Sequence, residues 1–155
     1  MDICVAERGD LAHLARLIWA DTAGAERDTL GLASFASDLD AWWSDHETSH
    51  LAFVARVEGD IVGMAWLALL PRIPRPGATA RLSGDIQTVF VDPDHRGKGI
   101  GSALVQAASE HALGLGAIRV TVHSGRRAVP VYERLGFAST PQLLALAPES
   151  GGSRS

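Results

Sequence analysis

Cysteine, lysine and tyrosine are scarce in this chain of 155 residues, and long hydrophobic runs are missing. Cys4 is the only cysteine, so no disulfide can form within the chain and a reducing compartment is the natural setting. The first residues contain neither the basic nor the apolar region of a secretory signal, and the longest apolar run, 61–70, is too short to span a bilayer. We therefore expect a cytoplasmic protein that has no membrane partner.

An excess of positive charge is also missing. The 14 basic and 18 acidic residues give a net charge of −4, which argues against general binding to nucleic acid. The hydrophobic share of 46% and the charged share of 21% are typical of a globular protein, and the length suits one domain with a sizeable core. We expect that domain to span 1–147, followed by a disordered polar tail over 148–155.

What the sequence does contain is a strand, a glycine-rich loop and a helix in succession over 85–102. The run 86–91 is rich in β-branched and aromatic residues and predicts a strand, which the turn residues 92–94 end. Residues 96–101, RGKGIG, then place three glycines at every second position before a helix-forming run that starts at Ser102. Unpaired N–H groups and the helix dipole favour an anion there, so the loop predicts a phosphate site. The alternative is a tight turn that needs glycine only for its dihedral angles.

Two familiar phosphate-binding motifs do not fit this loop. A P-loop requires serine or threonine after its Gly-Lys pair, but Gly99 follows Lys98. A dinucleotide-binding fingerprint requires its third glycine where Ser102 stands. The ligand must therefore be sought in another class.

The loop instead resembles the acetyl-CoA-binding motif of the GNAT superfamily of N-acetyltransferases, Arg/Gln-x-x-Gly-x-Gly/Ala after a strand that ends in Val-Asp-Pro. Arg96, Gly99 and Gly101 occupy its defining positions. A second block, 127–137, resembles the family's other hallmark, in which an Arg-Ala pair leads into Tyr-Glu-x-x-Gly-Phe. The resemblance covers 51–137 and implies an N-acetyltransferase with acetyl-CoA as cosubstrate and no metal.

The order of the predicted elements agrees with that resemblance. It indicates an α/β protein with a single GNAT-like domain, in which about four helices flank a mixed central sheet of about seven strands. The strands are expected at 2–7, 51–57, 61–69, 86–91 and 118–122, with a last antiparallel hairpin from Phe137 to 143–147. The helices are expected after a cap at Asp10, at 32–45, at 99–113 and from about 127 to 136, with loops over 21–31 and 71–83. A right-handed crossover makes strand 118–122 parallel to strand 86–91.

In the resembled fold these two parallel strands splay, and the pantetheine of acetyl-CoA enters the gap. The resemblance implies that backbone groups of Val89 and Val91 pair with it like an added strand. Many relatives have asparagine where Gly125 stands, and Ser124 is the candidate replacement. The residues expected to contact the cofactor are Val89, Phe90, Val91, Arg96, Gly97, Lys98, Gly99, Ile100, Gly101, Ser102, Ser124 and Tyr132.

Amine acylation requires a neutral amine, a donor to the oxyanion and a proton for the departing thiolate. Deprotonating a lysine-like amine at pH 7 costs about 4.6 kcal/mol, so a base matters. Asp85 stands where several relatives place a glutamate base; it is one methylene shorter, which favours a relay through water. Its alternatives are to cap the strand or to neutralise Arg81, and His123 is a second candidate base. The resemblance implies that Val89 N–H is the oxyanion donor and that Tyr132 is the general acid, with packing as the alternative for Tyr132.

The acceptor is predicted to be a small-molecule amine that attacks directly in a ternary complex. Trp42, Gln87 and His123 are its candidate contacts; strand alternation assigns Gln87 to the same face as Asp85. The arginines of loop 71–83 favour an acidic acceptor or the phosphates of coenzyme A, or else form a solvated connector, whereas the carboxylates within 38–47 favour a cation. A catalytically silent acetyl-CoA-binding regulatory module is the alternative function. Relatives commonly pair through their last strands, so a homodimer is a further expectation.

Overall fold

The computed structural model of the chain describes residues 1–22 and 29–148. Its strands and helices follow in the order β1 (Asp2–Val5), α1 (Leu11–Asp21), α2 (Thr29–His46), β2 (His50–Val57), β3 (Asp60–Arg72), β4 (Arg81–Val91), α3 (Ile100–Gly114), β5 (Val120–Val122) and α4 (Val129–Arg134). Short 3-10 turns lie at Arg8–Asp10 and Pro93–His95. Within these residues, no helix combines the length and apolar character that crossing a bilayer requires.

One mixed sheet runs in the order β1-β2-β3-β4-β5 and carries the helices on its two faces. Neighbours are antiparallel from β1 to β4, and β5 is parallel to β4. Helices α1 and α2 cover one face through a core that includes Leu14 and Met64, and α3 covers the other through Leu67 and Leu104. The predicted α/β class, the mixed sheet and the parallel placement of the fifth strand are confirmed.

The sheet has five strands in the described part of the chain, so the prediction of about seven was wrong. The expected hairpin from Phe137 to 143–147 does not form, and 138–148 contain no strand. The edge strand β5 has only three residues, so a further strand could form few hydrogen bonds with it. The homodimer contact expected through those last strands therefore loses its basis in the described residues. The tail predicted to be disordered lies outside them, apart from Pro148.

A long β3–β4 hairpin takes up both ends of the loop predicted over 71–83. Arg72 pairs with Arg81, which leaves 73–80 as the connection. Pro71 fits because the N–H of Leu69 faces β2, where it donates to the Ser49 carbonyl at 2.7 Å. The nitrogen two residues later points to the same side, beyond the end of β2, where no ladder bond is lost. Two arginines assigned to a loop thus belong to a paired strand.

Asp10 is the residue immediately before α1, as predicted, but its carboxylate makes no capping hydrogen bond to that helix. It accepts the N–H of Glu7 at 2.9 Å and two bonds from Arg56 Nη2, both at 2.8 Å. Burial raises the pKa of Asp10, but the Glu7 amide and the Arg56 guanidinium together outweigh burial and lower it below its ordinary 3.8. This ion pair ties the turn before α1 to strand β2.

Strand β4 carries a β-bulge at Gln87. Ile86 pairs with Leu67 and Thr88 pairs with Trp66, so Gln87 has no partner on β3. The alternation that assigned Gln87 to the face of Asp85 is interrupted there, and that premise was wrong. The ladder to β5 joins 84–86 to Val120–Val122 and goes no further among the described residues, so β4 and β5 separate at the bulge.

Candidate active site

A cleft opens where β4 and β5 separate. It consists of a cavity of about 570 Å³ that follows β4 into the glycine-rich loop and α3, and one of about 300 Å³ between β4 and β5. Asp21, Val89, Ala128 and Tyr132 line both cavities, which makes them two arms of one cleft. The structure therefore brings the two sequence motifs, 96–101 and 127–137, to a single place.

The glycine-rich loop presents free backbone amides to the larger arm. Gly97 and Gly99 have φ angles of 75° and 79°, a left-handed conformation that favours glycine. The first bond within α3 runs from Ala103 N–H to the Gly99 carbonyl at 3.0 Å, so the amides of residues 100–102 precede any helical acceptor. The tight-turn explanation thus accounts for Gly97 and Gly99.

Gly101 needs a different explanation. Its backbone is not left-handed, and a Cβ there would meet only Val91 Cγ2, at an ordinary 3.8 Å. Among the described residues, no group therefore requires glycine at this position. Gly101 lines the larger arm of the cleft, and the missing side chain leaves its amide open to whatever occupies that arm. A ligand that approached the backbone in that arm would give a reason for glycine here.

Of the two basic residues of the loop, Arg96 lies beside the cleft as expected and Lys98 does not, and further positive charge comes from outside the loop. Arg96 lines the larger arm, donates from Nε to the Val91 carbonyl at 2.9 Å and lies 5.4 Å from the centre of the Phe90 ring. Lys98 is exposed and lines neither arm. Arg134 does line the larger arm. Sequence analysis had not selected it, although it lies two residues after Tyr132 on the same short helix.

Tyr132 stands between the two arms of the cleft. It is half-buried on α4, and its ring lies edge-on to Phe137 with centroids 5.7 Å apart. Burial raises the pKa of Tyr132 above its ordinary 10.0, so the hydroxyl is protonated at neutral pH. The packing role and the acid role are thus compatible, because the ring packs while the residue lines both arms.

The remaining candidates separate into two groups. Gln87, His123 and Ser124 line the smaller arm together with Tyr132, and Ser124 donates to the Gly125 carbonyl at 2.8 Å. Asp85 lines neither arm. Its Oδ1 accepts the Thr121 hydroxyl at 2.8 Å, and it pairs with Ala68 across the sheet. It forms no ion pair with Arg81, which removes one of its alternative roles.

Trp42 belongs to an aromatic cluster on the α2 face of the sheet, which consists of Trp42, Trp43, His46, His50 and Trp66. Its ring stacks on His46 with centroids 4.4 Å apart and meets His50 edge-on at 4.9 Å. Trp42 is 38% exposed and lines neither arm of the cleft. Burial, and then the neighbouring His46, lower the pKa of His50, so its imidazole is neutral at pH 7.

Asp21 is a cleft residue that sequence analysis missed. It was assigned to a loop, but it is the last residue of α1 and lines both arms. Although the side chain is exposed, partial desolvation raises the pKa of Asp21 above 3.8, while the charge of Arg96 opposes the rise. The position after an apolar helical stretch was its only signal in the sequence.

Comparison with known proteins identifies the family to which these motifs belong. The model of the Acetyltransferase (GNAT) family matches residues 12–137. A glucosamine 6-phosphate N-acetyltransferase of Trypanosoma brucei brucei is 36% identical over 94 residues, which are 61% of this chain and 62% of the relative. A mycothiol acetyltransferase of Cellulomonas flavigena is 34% identical over 104 residues, 64% of this chain and 30% of the relative. The chain thus spans from about a third to three fifths of these relatives' lengths.

The fold has a counterpart among solved structures. An acetyltransferase of Trypanosoma brucei superposes with a TM-score of 0.74 and 27% sequence identity, over 95% of this chain and 99% of that one. The overall fold is therefore one that a solved acetyltransferase shares.

Proposed function

The chain belongs to the GNAT acetyltransferase family, and from that premise we propose that it transfers the acetyl group of acetyl-CoA to a primary amine of a small molecule. One observation carries the proposal: the cleft between β4 and β5 ends on the open amides of 100–102, at a glycine, Gly101, that the fold itself does not need. Amides at the start of a helix bind phosphate groups, and the diphosphate of acetyl-CoA is the group that we assign to them.

The proposed cofactor position follows the free edge of β4. Beyond the bulge, β4 has no β5 partner among the described residues, and we assign the pantetheine amides to backbone groups of Val89 and Val91 there. The Val91 carbonyl also accepts Arg96 Nε, and its second lone pair remains for the ligand. Arg96 and Arg134 supply positive charge to the same arm of the cleft. The thioester then lies near the point where Val89 and Tyr132 line both arms.

The proposed reaction is direct attack by the neutral amine. The amine nitrogen forms a bond to the acetyl carbon, and its proton leaves through water to Asp85, while Val89 N–H stabilises the charge that develops on the acetyl oxygen. The bond between carbon and sulfur breaks, and Tyr132 gives its proton to the departing thiolate. His123 is the alternative base, since it lines the smaller arm with Tyr132.

The names of the relatives favour a small acceptor. One is a glucosamine 6-phosphate N-acetyltransferase and another a mycothiol acetyltransferase. We therefore propose a small-molecule amine as the acceptor and a single catalytic domain over 1–147. Free Cys4 suits a reducing, cytoplasmic setting.

The direct test is a thiol-release assay with acetyl-CoA and a panel of amines that includes glucosamine, glucosamine 6-phosphate and amino acids. We expect free thiol to appear with at least one amine and to match the amount of N-acetylated product. Binding of acetyl-CoA without turnover on any amine would favour the alternative, a regulatory module. Failure to bind acetyl-CoA would refute both.

A further inference from the structure

Four arginines converge at the tip of the β3–β4 hairpin, which we call the arginine cluster: Arg72, Arg75, Arg81 and Arg119. Three of them, Arg72, Arg75 and Arg81, line a cavity of about 500 Å³ with Pro71, Ile73 and Pro74. Arg119 precedes β5, and its carbonyl accepts the Gly84 N–H at 3.0 Å. No member forms an ion pair within the described chain, where the recorded pairs involve Arg8, Arg16 and Arg56.

Within 1–22 and 29–148, no carboxylate forms an ion pair with the arginine cluster. Desolvation, and then the charges of Arg75, Arg72 and Arg119, lower the pKa of Arg81. Arg81 Nη1 donates to the Ile73 carbonyl at 2.9 Å, but the buried Nε of Arg72 has no partner. The repulsion between these guanidinium groups and the unpaired N–H of Arg72 both make the cluster unfavourable without a ligand. A bound oxyanion would supply the opposite charge and would accept a hydrogen bond from that N–H.

The position of the cluster excludes the phosphates of coenzyme A as its ligand. Arg81 begins β4 and Val91 ends it, a separation of about 33 Å at about 3.3 Å per residue. The amides proposed for the diphosphate follow Val91. One of the roles considered for these arginines, contact with the cofactor, is therefore ruled out by distance.

The cluster instead shares a sheet face with Asp85. The register pairs Arg72 with Arg81 and Ala68 with Asp85, and positions 81, 83 and 85 alternate onto one face before the bulge. Four residues of strand place Arg81 about 13 Å from Asp85. Between Arg81 and Asp85, this face of the sheet presents Ser83, which is buried, and its β3 partner Leu70, which is 58% exposed. The carbon chain of a small substrate could lie across these two residues, with one end at the arginine cluster and the other near Asp85.

We propose that the arginine cluster binds a phosphate group of the acceptor, so that the substrate class is phosphorylated primary amines whose nitrogen reaches the Asp85 side of the cleft. This rests on the proposed acetyltransferase function. Several guanidinium groups without a carboxylate match the charge of a phosphate monoester, about −1.5 to −2 at pH 7, better than that of a single carboxylate. The arginine cluster decides between the two acceptor charges that the sequence left open.

The test compares matched amines with and without phosphate: glucosamine against glucosamine 6-phosphate, and 6-aminohexanol against 6-aminohexyl phosphate. We expect kcat/KM to favour the phosphorylated member of at least one pair by about 10- to 100-fold, the range expected of charge-assisted hydrogen bonds. Arg72→Gln and Arg75→Gln should reduce that preference by raising KM for the phosphorylated amine and should leave the unphosphorylated one unchanged. Arg72→Lys and Arg75→Lys keep the charge and should retain most of the preference.

Calorimetric titration of glucosamine 6-phosphate and 6-aminohexyl phosphate into the protein gives a second readout that needs no turnover. We expect binding that Arg72→Gln weakens. Acetylation of amines without a phosphate preference in either pair would overturn the inference while the proposed function stood, as would equal losses for both members of a pair in Arg72→Gln. A preference for acidic peptides over both pairs would also overturn it. Absence of acetyl-CoA binding would instead refute the proposed function.

Discussion

At the scale of single residues, the proposed general-acid role of Tyr132 can be tested by a single substitution. Tyr132→Phe keeps the ring against Phe137 and removes only the hydroxyl. We expect kcat to fall by about 10²- to 10⁴-fold, the usual contribution of a general acid, with acetyl-CoA affinity changed less than twofold. Steady-state kinetics and calorimetry on the same preparation measure both. Unchanged kcat would assign Tyr132 to packing alone.

Asp85 is predicted to act through water, because it lines neither arm of the cleft and is held by Thr121. Asp85→Asn should lower kcat/KM at pH 7 by about 10²-fold, the low end of the range for a general base. The loss should shrink as pH rises toward the pKa of the amine, because a growing share of the amine is then neutral without help. A pH–rate profile measures this.

The control for Asp85 is Thr121→Val, which removes the hydrogen bond and keeps the carboxylate. Its loss should be much smaller than that of Asp85→Asn. A loss in Asp85→Asn that stays constant across the profile would mean that the carboxylate positions groups rather than accepting a proton.

Site residues that belong to a sequence motif could be selected from the sequence. Site residues on an element outside the motifs, such as α1, could not. Tyr132 and Gly101 were found because their spacing is that of a family pattern. Asp21 reaches the cleft because α1 ends beside β4, and no local pattern records that meeting. Lys98, expected from the motif to contact the cofactor, is exposed and lines neither arm of the cleft.

At the scale of elements, the turn from β4 into α3 carries two glycines with different tasks. Gly99→Ala forces an alanine into a left-handed conformation and should destabilise the protein by about 1–2 kcal/mol. Gly101→Ala meets only an ordinary contact and gains helix propensity, so stability should hold or rise by up to about 1 kcal/mol. Its Cβ nevertheless enters the cleft, so acetyl-CoA affinity should fall at least tenfold.

Urea unfolding of the two glycine variants measures their stability, and calorimetry measures their affinity for acetyl-CoA, so the two effects can be distinguished. If Gly101→Ala bound acetyl-CoA as tightly as the unchanged protein, the reason given for glycine at that position would be lost.

Elements whose pattern is local were predictable, whereas the ends and irregularities of strands, which depend on pairing, were not. Helix α3 was predicted at 99–113 and lies at Ile100–Gly114. The extension of β3 through Pro71 depends on where β2 ends, and the bulge at Gln87 depends on the register with β3. The prediction of the last hairpin was wrong because its apolar residues could pair only with β5, an edge strand of three residues.

At the scale of the whole molecule, the pair between Asp10 and Arg56 fastens the amino-terminal turn to the sheet. Asp10→Asn should lower the free energy of unfolding at pH 7 by about 1–3 kcal/mol, as expected for hydrogen bonds to charged groups in a largely buried site. The folded pKa of Asp10 is lowered, so this stabilisation is fully present above the unfolded pKa of about 3.9 and is lost as pH falls through the folded value.

Urea unfolding of the Asp10→Asn variant at pH 7 and at pH 3 should therefore show a gap from the unchanged protein that narrows in acid. Asp40→Asn is the control, because it breaks the exposed pair with Arg8 and should cost at most about 1 kcal/mol. A gap that widened in acid would contradict the lowered pKa.

At the scale of the whole molecule, the two arms of the cleft meet at Val89 and Tyr132. The amides proposed to bind a diphosphate lie beyond one end of β4, and the arginine cluster lies at the other end. The central claim is that the amides at the start of α3 grip the cofactor. The most direct measurement is a nuclear magnetic resonance titration that follows the backbone amides with acetyl-CoA and, separately, with pantetheine. The account predicts large shifts at the amides of 97–102 with acetyl-CoA and none there with pantetheine. Shifts confined to other residues, or no binding, would contradict it.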